Sequence, residues 1–437
     1  MLERKITKEL LEWKNEKNKP CLLIKGARNV GKTYIISEFA KDNYQSLIYI
    51  NFETMPKYKE IFNGNLDIDT LIMKLELYFP NTEIIPNNTI LLLDVIEFCP
   101  NARVALKSFA LDGRIDVVAS GSLLGLHYKE VSSYPVGYER YINMYPLDFE
   151  EFLWGLGIKK EIIDNLRKSF MNKKPVVEYI NKQFSDYFKL YMIVGGMPKI
   201  VSDYIESSSM SITLKNQKSI IDNYIYDIEK YADKSDKSKI INTFYSIPVQ
   251  LAKNNKKFSY VSILENEKDV GERKYASSLD WLKDAGIVSM CYNLENPEAP
   301  LISNVILNCF KLYMNDTGLL TSMYENSVQN EIINNNYYIN SGAIVENVCA
   351  GEIKRKYGCL MYFEKKSKLE IDFILNIDGI VTAIEVKSGN NKQAKSLNSI
   401  IENYKSVKRY IKLEYDTNIY IDEKGIEHYP LYMIMFI

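Results

Sequence analysis

The sequence has no apolar run of about 18 or more residues, so no stretch is long enough to cross a bilayer as a helix. Its first residues, Met1-Leu2-Glu3-Arg4-Lys5-Ile6, are charged and carry no apolar h-region, which argues against a secretory signal. Cysteine is scarce. The six residues Cys21, Cys99, Cys291, Cys309, Cys349 and Cys359 are scattered, lie mostly in apolar runs and never form a CxxC pair. Neither a zinc site nor a disulfide framework follows, and buried thiols in a reducing cytoplasm are expected. Charge of one sign is lacking too. With 55 Lys and Arg against 56 Asp and Glu, the net charge is -1. No global positive field draws in nucleic acid or anionic membrane, and any DNA contact must come from local basic patches. A soluble cytoplasmic protein with no membrane partner is the expectation.

What the sequence does have is Gly26-Ala27-Arg28-Asn29-Val30-Gly31-Lys32-Thr33, which fits the pattern of a phosphate-binding loop. The apolar run Cys21-Leu22-Leu23-Ile24 ahead of it reads as a buried strand, and Tyr34–Ala40 behind it reads as a helix. Gly26 and Gly31 let the backbone turn so that successive N–H groups face a β-phosphate, and the helix adds its positive end. Lys32 would reach the β- and γ-phosphates, and the Thr33 hydroxyl would ligate Mg²⁺. A glycine turn before a helix explains less of this pattern than ATP binding does.

About 60 residues further on, Thr89-Ile90-Leu91-Leu92-Leu93-Asp94 is a continuous apolar strand ending in a carboxylate. This is the form of a Walker B strand, with Asp94 holding Mg²⁺. The next residue is Val95, which can neither take nor orient a proton, so ATP binding is better supported than fast hydrolysis. Glu97 would face differently from position 95 if the strand continued. A further strand, Asp116–Ala119, runs into Ser120, which is either a γ-phosphate sensor or part of a serine-glycine turn.

From Met144 the chain shows a set of distinctive segments: Met144–Leu153, Gly195-Gly196-Met197-Pro198, Ile247–Leu251 with Phe258-Ser259-Tyr260, and Lys311–Leu320. With these the chain resembles, essentially from end to end, a large prokaryotic family of AAA-type ATP-binding proteins fused to a C-terminal domain of unknown function. The family usually has Asp-Glu-Ile-Gln where this chain has Asp94-Val95-Ile96-Glu97. The resemblance implies an AAA-type P-loop NTPase domain over residues 1–164 and a helical lid and linker over 165–240. Helix followed by strand around Leu279–Tyr292 fits a winged-helix module over 241–330. Its Lys253, Lys256, Lys257, Arg273 and Lys274 could meet phosphates, or the module could pack against protein.

The last unit, over 331–437, holds a second constellation. Glu370–Leu375 reads as an alternating strand, Asp378-Gly379 as a turn and Val381–Lys387 as the returning strand. Glu385 and Lys387 then share a face, and pairing the hairpin brings Asp372 towards them. This resembles the PD-(D/E)XK nuclease core, with Ile371 where the name-giving pattern has proline. On that resemblance Asp372 and Glu385 would bind Mg²⁺ or Mn²⁺, Lys387 would position the attacking water, and Glu346 would be the additional helix acid. Lys392, Lys395 and Ser396 would follow on a helix near a backbone phosphate.

The fold expected is therefore α/β and multidomain: an AAA-type P-loop domain with helical lid, a winged-helix module and a restriction-endonuclease-like α/β domain. The function expected is ATP-gated, metal-dependent phosphodiester cleavage, DNA being the favoured nucleic acid. The alternative is a nucleotide-regulated DNA- or protein-binding switch with slow or absent ATP hydrolysis and a catalytically silent nuclease-like domain. Its protein partner would dock on the winged-helix or C-terminal domain.

Overall fold

In the computed structural model the described residues are 2–122, 135–253, 255–263, 271–325, 327–334, 341–365, 369–388 and 394–437. Lys392 lies outside them, as does the side chain of Arg273. The chain divides into two compact units, one of residues 3–145 with 284–286 and one of the remainder. The division falls at Tyr145/Pro146, earlier than the expected boundary at 164. Among the described residues no helix is long and apolar enough to cross a membrane.

The first unit is a P-loop NTPase-like α/β fold. Strands β1 (Cys21–Gly26), β2 (Ser46–Asn51), β3 (Thr89–Asp94), β4 (Asp116–Ser122) and β5 (Glu139–Asn143) form one sheet in the order β2-β3-β4-β1-β5. Every pairing in it is parallel. Parallel strands covered on both faces need unbroken apolar sequence, and β3 is buried along its whole length. Helices Lys32–Asn43, Ile68–Tyr78 and Pro100–Asp112 supply crossovers, and Phe52, Phe62, Leu71, Leu75 and Phe109 pack with the strands into one core. Because β1 and β3 run the same way, the loop after β1 and the carboxylate ending β3 lie at one edge of the sheet.

In the second unit, helices Phe149–Gly155, Lys160–Met171, Glu178–Val194, Pro198–Ser207, Met210–Tyr231 and Lys237–Leu251 follow one another. The first is opened by a full capping box between Asp148 and Glu151. The Gly195-Gly196-Met197-Pro198 break has a structural purpose. Gly195 (φ 76°) ends its helix, and a Cβ there would lie 2.8 Å from the Cα of Gly318. Two backbones meet without side chains between them. Asp316 closes the joint: it is 4% exposed, its Oδ2 accepts the Gly196 N–H at 2.7 Å and its Oδ1 accepts the Leu319 N–H at 2.9 Å. Asn347 adds bonds to both backbone groups of Met314.

Helix Glu272–Asp284 precedes β6 (Val288–Leu294), which pairs antiparallel with β7 (Val305–Met314). After helix Ser341–Tyr357, β8 (Leu360–Lys365) pairs parallel with β6, and β9 (Leu369–Ile371) extends the sheet to the order β7-β6-β8-β9. One sheet thus spans residues on both sides of the expected boundary at 330/331. The strand expected over Glu370–Leu375 is broken at Asp372, where the chain leaves β8 and β10 (Phe373–Ile377) takes β11 (Ile380–Lys387) as its partner. Asp378 (φ 51°) and Gly379 (φ 83°) form the left-handed pair that a two-residue hairpin requires. With β12 (Arg409–Glu414), β13 (Tyr420–Ile421) and β14 (Glu427–Pro430) this second sheet has the order β10-β11-β12-β14-β13.

Replacing Asp316 by Ala leaves two buried N–H groups without their acceptor, at a cost of about 3 kcal/mol. Denaturant titration of Asp316→Ala should show the midpoint falling accordingly; an unchanged midpoint would mean that the joint is not a stability element.

Candidate functional site

The phosphate loop is built by its glycines and by one long-range staple. A Cβ on Gly26 would lie 2.3 Å from the Met144 carbonyl oxygen, so only glycine fits where β1 ends. Asn29 (φ 66°) and Gly31 (φ 89°) take left-handed backbone, which swings successive N–H groups towards one side. Val30 is fully buried, and its carbonyl accepts Arg4 Nη1–H at 3.2 Å while Arg4 Nη2–H reaches the Tyr145 carbonyl at 2.7 Å. Gly31 is the N-cap of helix Lys32–Asn43 and offers no capping oxygen, and no acid stands in the first turn. The helix's first N–H groups and its positive end are left for an anion. Lys32 Nζ donates to the carbonyls of Gly26 and Ala27, both at 2.9 Å. Burial pushes its pKa down to about 8, against the opposing pull of Glu97 and Asp94.

Asp94 is the centre of the second half of this site. It is 5% exposed. Its Oδ2 accepts from Thr33 Oγ1, Tyr49 Oη and Asn51 Nδ2, each at 3.0 Å, and its Oδ1 accepts from the fully buried Ser120. The expected residues Thr33, Asp94 and Ser120 are therefore brought together, and Tyr49 and Asn51 were missed. Both lie at the end of β2, in register with β3, where Asn51 pairs with Asp94. Neutral hydroxyl and amide donors can turn away from Asp94, and the oxygens of Thr33 and Asp94 are the hard donors that Mg²⁺ takes alongside phosphate. The donor set fits that ion, which would neutralise phosphate charge there.

Val95 adopts left-handed backbone (φ 55°, ψ 49°), a conformation that costs a β-branched side chain about 1–2 kcal/mol. The strand does not continue. The chain turns sharply into a short 3₁₀ segment, Ile96–Phe98, and carries Glu97 into a buried position where its charge acts on Lys32. Arg140 is held by Glu16 through two bonds of 2.7 and 2.8 Å.

In the second unit Asp372, Glu385, Lys387 and Glu346 are gathered, but with companions. Asp372 Oδ2 accepts the Val386 N–H at 2.8 Å, and Lys387 Nζ pairs with Glu385 Oε1 at 2.7 Å. Lys387 lies within the fields of Glu385, Asp372 and Glu346, which raise its pKa against the effect of burial. Glu346 is ion-paired to Lys256 and accepts from Tyr313 Oη at 3.0 Å. Lys256, expected to meet phosphate, is thereby turned inward. Between the carboxylates stands Lys311, 1% exposed, with Nζ 2.5 Å from Glu370, 3.8 Å from Glu346 and 3.9 Å from Asp372. Burial raises the Asp372 pKa to about 7, with Glu346 adding to it. Glu346 is the carboxylate held ionised, by Lys256 and Lys311 against the effect of burial. Among the described residues no group of three or more His, Cys, Asp or Glu is disposed to hold a metal ion. With an ammonium already among these carboxylates, the expected Mg²⁺ or Mn²⁺ does not fit them. Lys311 was missed because it lies far upstream, inside the apolar segment Lys311–Met314.

Residues 18–153 match the family model described as AAA domain, so the first unit is AAA-type. Residues 185–330 and 341–434 match two models, each described as a domain of unknown function. No curated protein sequence matches. Similar solved structures include the Walker-type ATPase paby2304 of Pyrococcus abyssi, at 14% identity and TM-score 0.41, over 74% of this chain and 96% of that one. The Aeropyrum pernix Orc1 protein in complex with DNA matches at 12% identity and TM-score 0.32, over 78% and 94%. AMPPCP-bound DnaA from Aquifex aeolicus matches at 13% and 0.28, over 64% and 86%.

With burial pushing its pKa down to about 8, Lys32 loses its charge around that pH, well below the ordinary lysine value of 10.5. Affinity for a nucleotide triphosphate should therefore fall as pH rises above about 8, and Lys32→Arg, always protonated, should lose that slope. Titration with a fluorescent ATP analogue at several pH values checks this; identical slopes in both proteins would refute it.

Proposed function

We propose that this chain is a nucleotide-dependent switch. Its AAA-type unit binds ATP with Mg²⁺ through the loop Gly26–Thr33, Asp94 and Ser120, and hydrolyses it slowly. Residues 146–437 act on the partner, for which DNA is favoured among nucleic acids and a protein is the other class. The observation that carries this reading is the end of β3: Asp94 is poised beside Thr33, while the next position is a valine in left-handed backbone. A site of this kind holds a triphosphate and lacks the adjacent base that polarises water. Exposed Lys253 and Lys257 in the expected winged-helix region support contact with phosphate. Five buried thiols suit a cytoplasmic setting.

A second reading is favoured by the gathering of Glu346, Asp372, Glu385 and Lys387: metal-dependent phosphodiester cleavage gated by the nucleotide. The lysine among those carboxylates weighs against it. The two readings separate in one experiment, incubation of supercoiled, linear and branched DNA with Mg²⁺ or Mn²⁺, with and without ATP. The switch predicts no cleavage that Asp372→Ala removes, and the nuclease predicts the reverse.

For the nucleotide site, ATP binding should be lost in Lys32→Ala and turnover of the native chain should stay far below that of a motor. Removing one well-placed general base typically costs about 10²–10⁴ in rate. Val95→Glu should therefore raise turnover in a steady-state phosphate-release assay. A native rate already equal to that of Val95→Glu would defeat the slow-switch reading.

A further inference from the structure

We propose that the carboxylate cluster of the second unit carries its own cation: the Lys311 ammonium occupies the place that a divalent metal would take in a nuclease of this shape. The inference rests on the second unit alone and goes beyond the nucleotide reading.

Three separate elements bring the charges together. Lys311 stands on β7, the edge strand of the four-stranded sheet, opposite Cys291 of β6 and bridged on its other side to Lys257. Glu346 comes from helix Ser341–Tyr357, while Glu370 and Asp372 come from β9 and from the residue where the chain changes strand partner. Lys311 Nζ lies 2.5, 3.8 and 3.9 Å from Glu370, Glu346 and Asp372 respectively. Carboxylate oxygens bind Mg²⁺ at about 2.1 Å, so a metal drawn in by the same oxygens would overlap the ammonium. The two cations exclude one another.

The lysine is 1% exposed, and at its own position β7 is paired with β6. This differs from Lys387, which is one-third exposed and stands where a nuclease lysine would. Lys256 adds a second cation on the other side of Glu346. Buried carboxylates must be matched by cations or give up their charge: Lys256 and Lys311 hold Glu346 ionised, while burial raises the pKa of Asp372. The cations that face Glu346, Glu370 and Asp372 thus come from within the chain. The product is a charged clasp that ties β7 to the helix and the strands that follow it.

The test is Mn²⁺ binding to the full chain without nucleotide, followed by electron paramagnetic resonance, in wild type, Asp372→Asn, Lys311→Met and the double variant. Wild type and Asp372→Asn should bind Mn²⁺ equally. Lys311→Met should melt several degrees lower, and Mn²⁺ should restore part of that loss only while Asp372 is present. An Mn²⁺ equivalent present in wild type and lost in Asp372→Asn would overturn the proposal. So would a Lys311→Met chain that melts like wild type, or one that gains nothing from Mn²⁺. If Lys311→Met does not fold, the comparison of wild type with Asp372→Asn still decides. ATP binding is read at Lys32 and is untouched by these variants, so failure here leaves the nucleotide reading standing.

Discussion

Burying a carboxylate is costly unless donors or cations replace its hydration, and three clusters among the described residues meet that constraint in three ways. Asp94 is surrounded by hydroxyl and amide donors from Thr33, Tyr49, Asn51 and Ser120. Asp316 takes backbone N–H groups from Gly196 and Leu319. Glu346, Glu370 and Asp372 take Lys256 and Lys311. The manner of matching sets what each can do. Hydroxyl donors rotate at little cost and can yield the Asp94 oxygens to a metal; backbone donors fix a joint; a buried lysine fills a hole.

The first unit was legible because its signals are local. An apolar strand, a glycine-rich turn and a helix start are neighbours in sequence, and Thr89–Asp94 forms the strand its composition announced. Asp378-Gly379 was readable for the same reason, since the turn's backbone demand is written in two adjacent residues. The break at Asp372 was not. Alternation over Glu370–Leu375 is equally good for one strand or two, and the choice is made by partners, β8 on one side and β11 on the other.

The candidate sites show the same division. Residues that meet through a shared hairpin, such as Asp372 and Glu385, were found from spacing. Those that meet through sheet order were not: Tyr49 and Asn51 reach Asp94 only because β2 lies beside β3. Glu97 depended on a bend at Val95 that no propensity favours. The segments around Gly195 and Gly318 carried resemblance without assigned chemistry, and their role is contact. A Cβ on Gly195 would meet the Asp316 side chain and the Gly318 backbone, and one on Gly318 would meet the backbone of Val194 and Gly195.

The pairing of β6 with both β7 and β8 bears on how the molecule can be divided. The two matched domains of unknown function end and begin at 330 and 341, yet the sheet passes across that gap. A fragment ending near 330 would keep β6 and lose β8, baring a row of unpaired backbone groups ready to recruit another chain. A cut between 330 and 341 therefore divides a sheet, although it separates two matched segments.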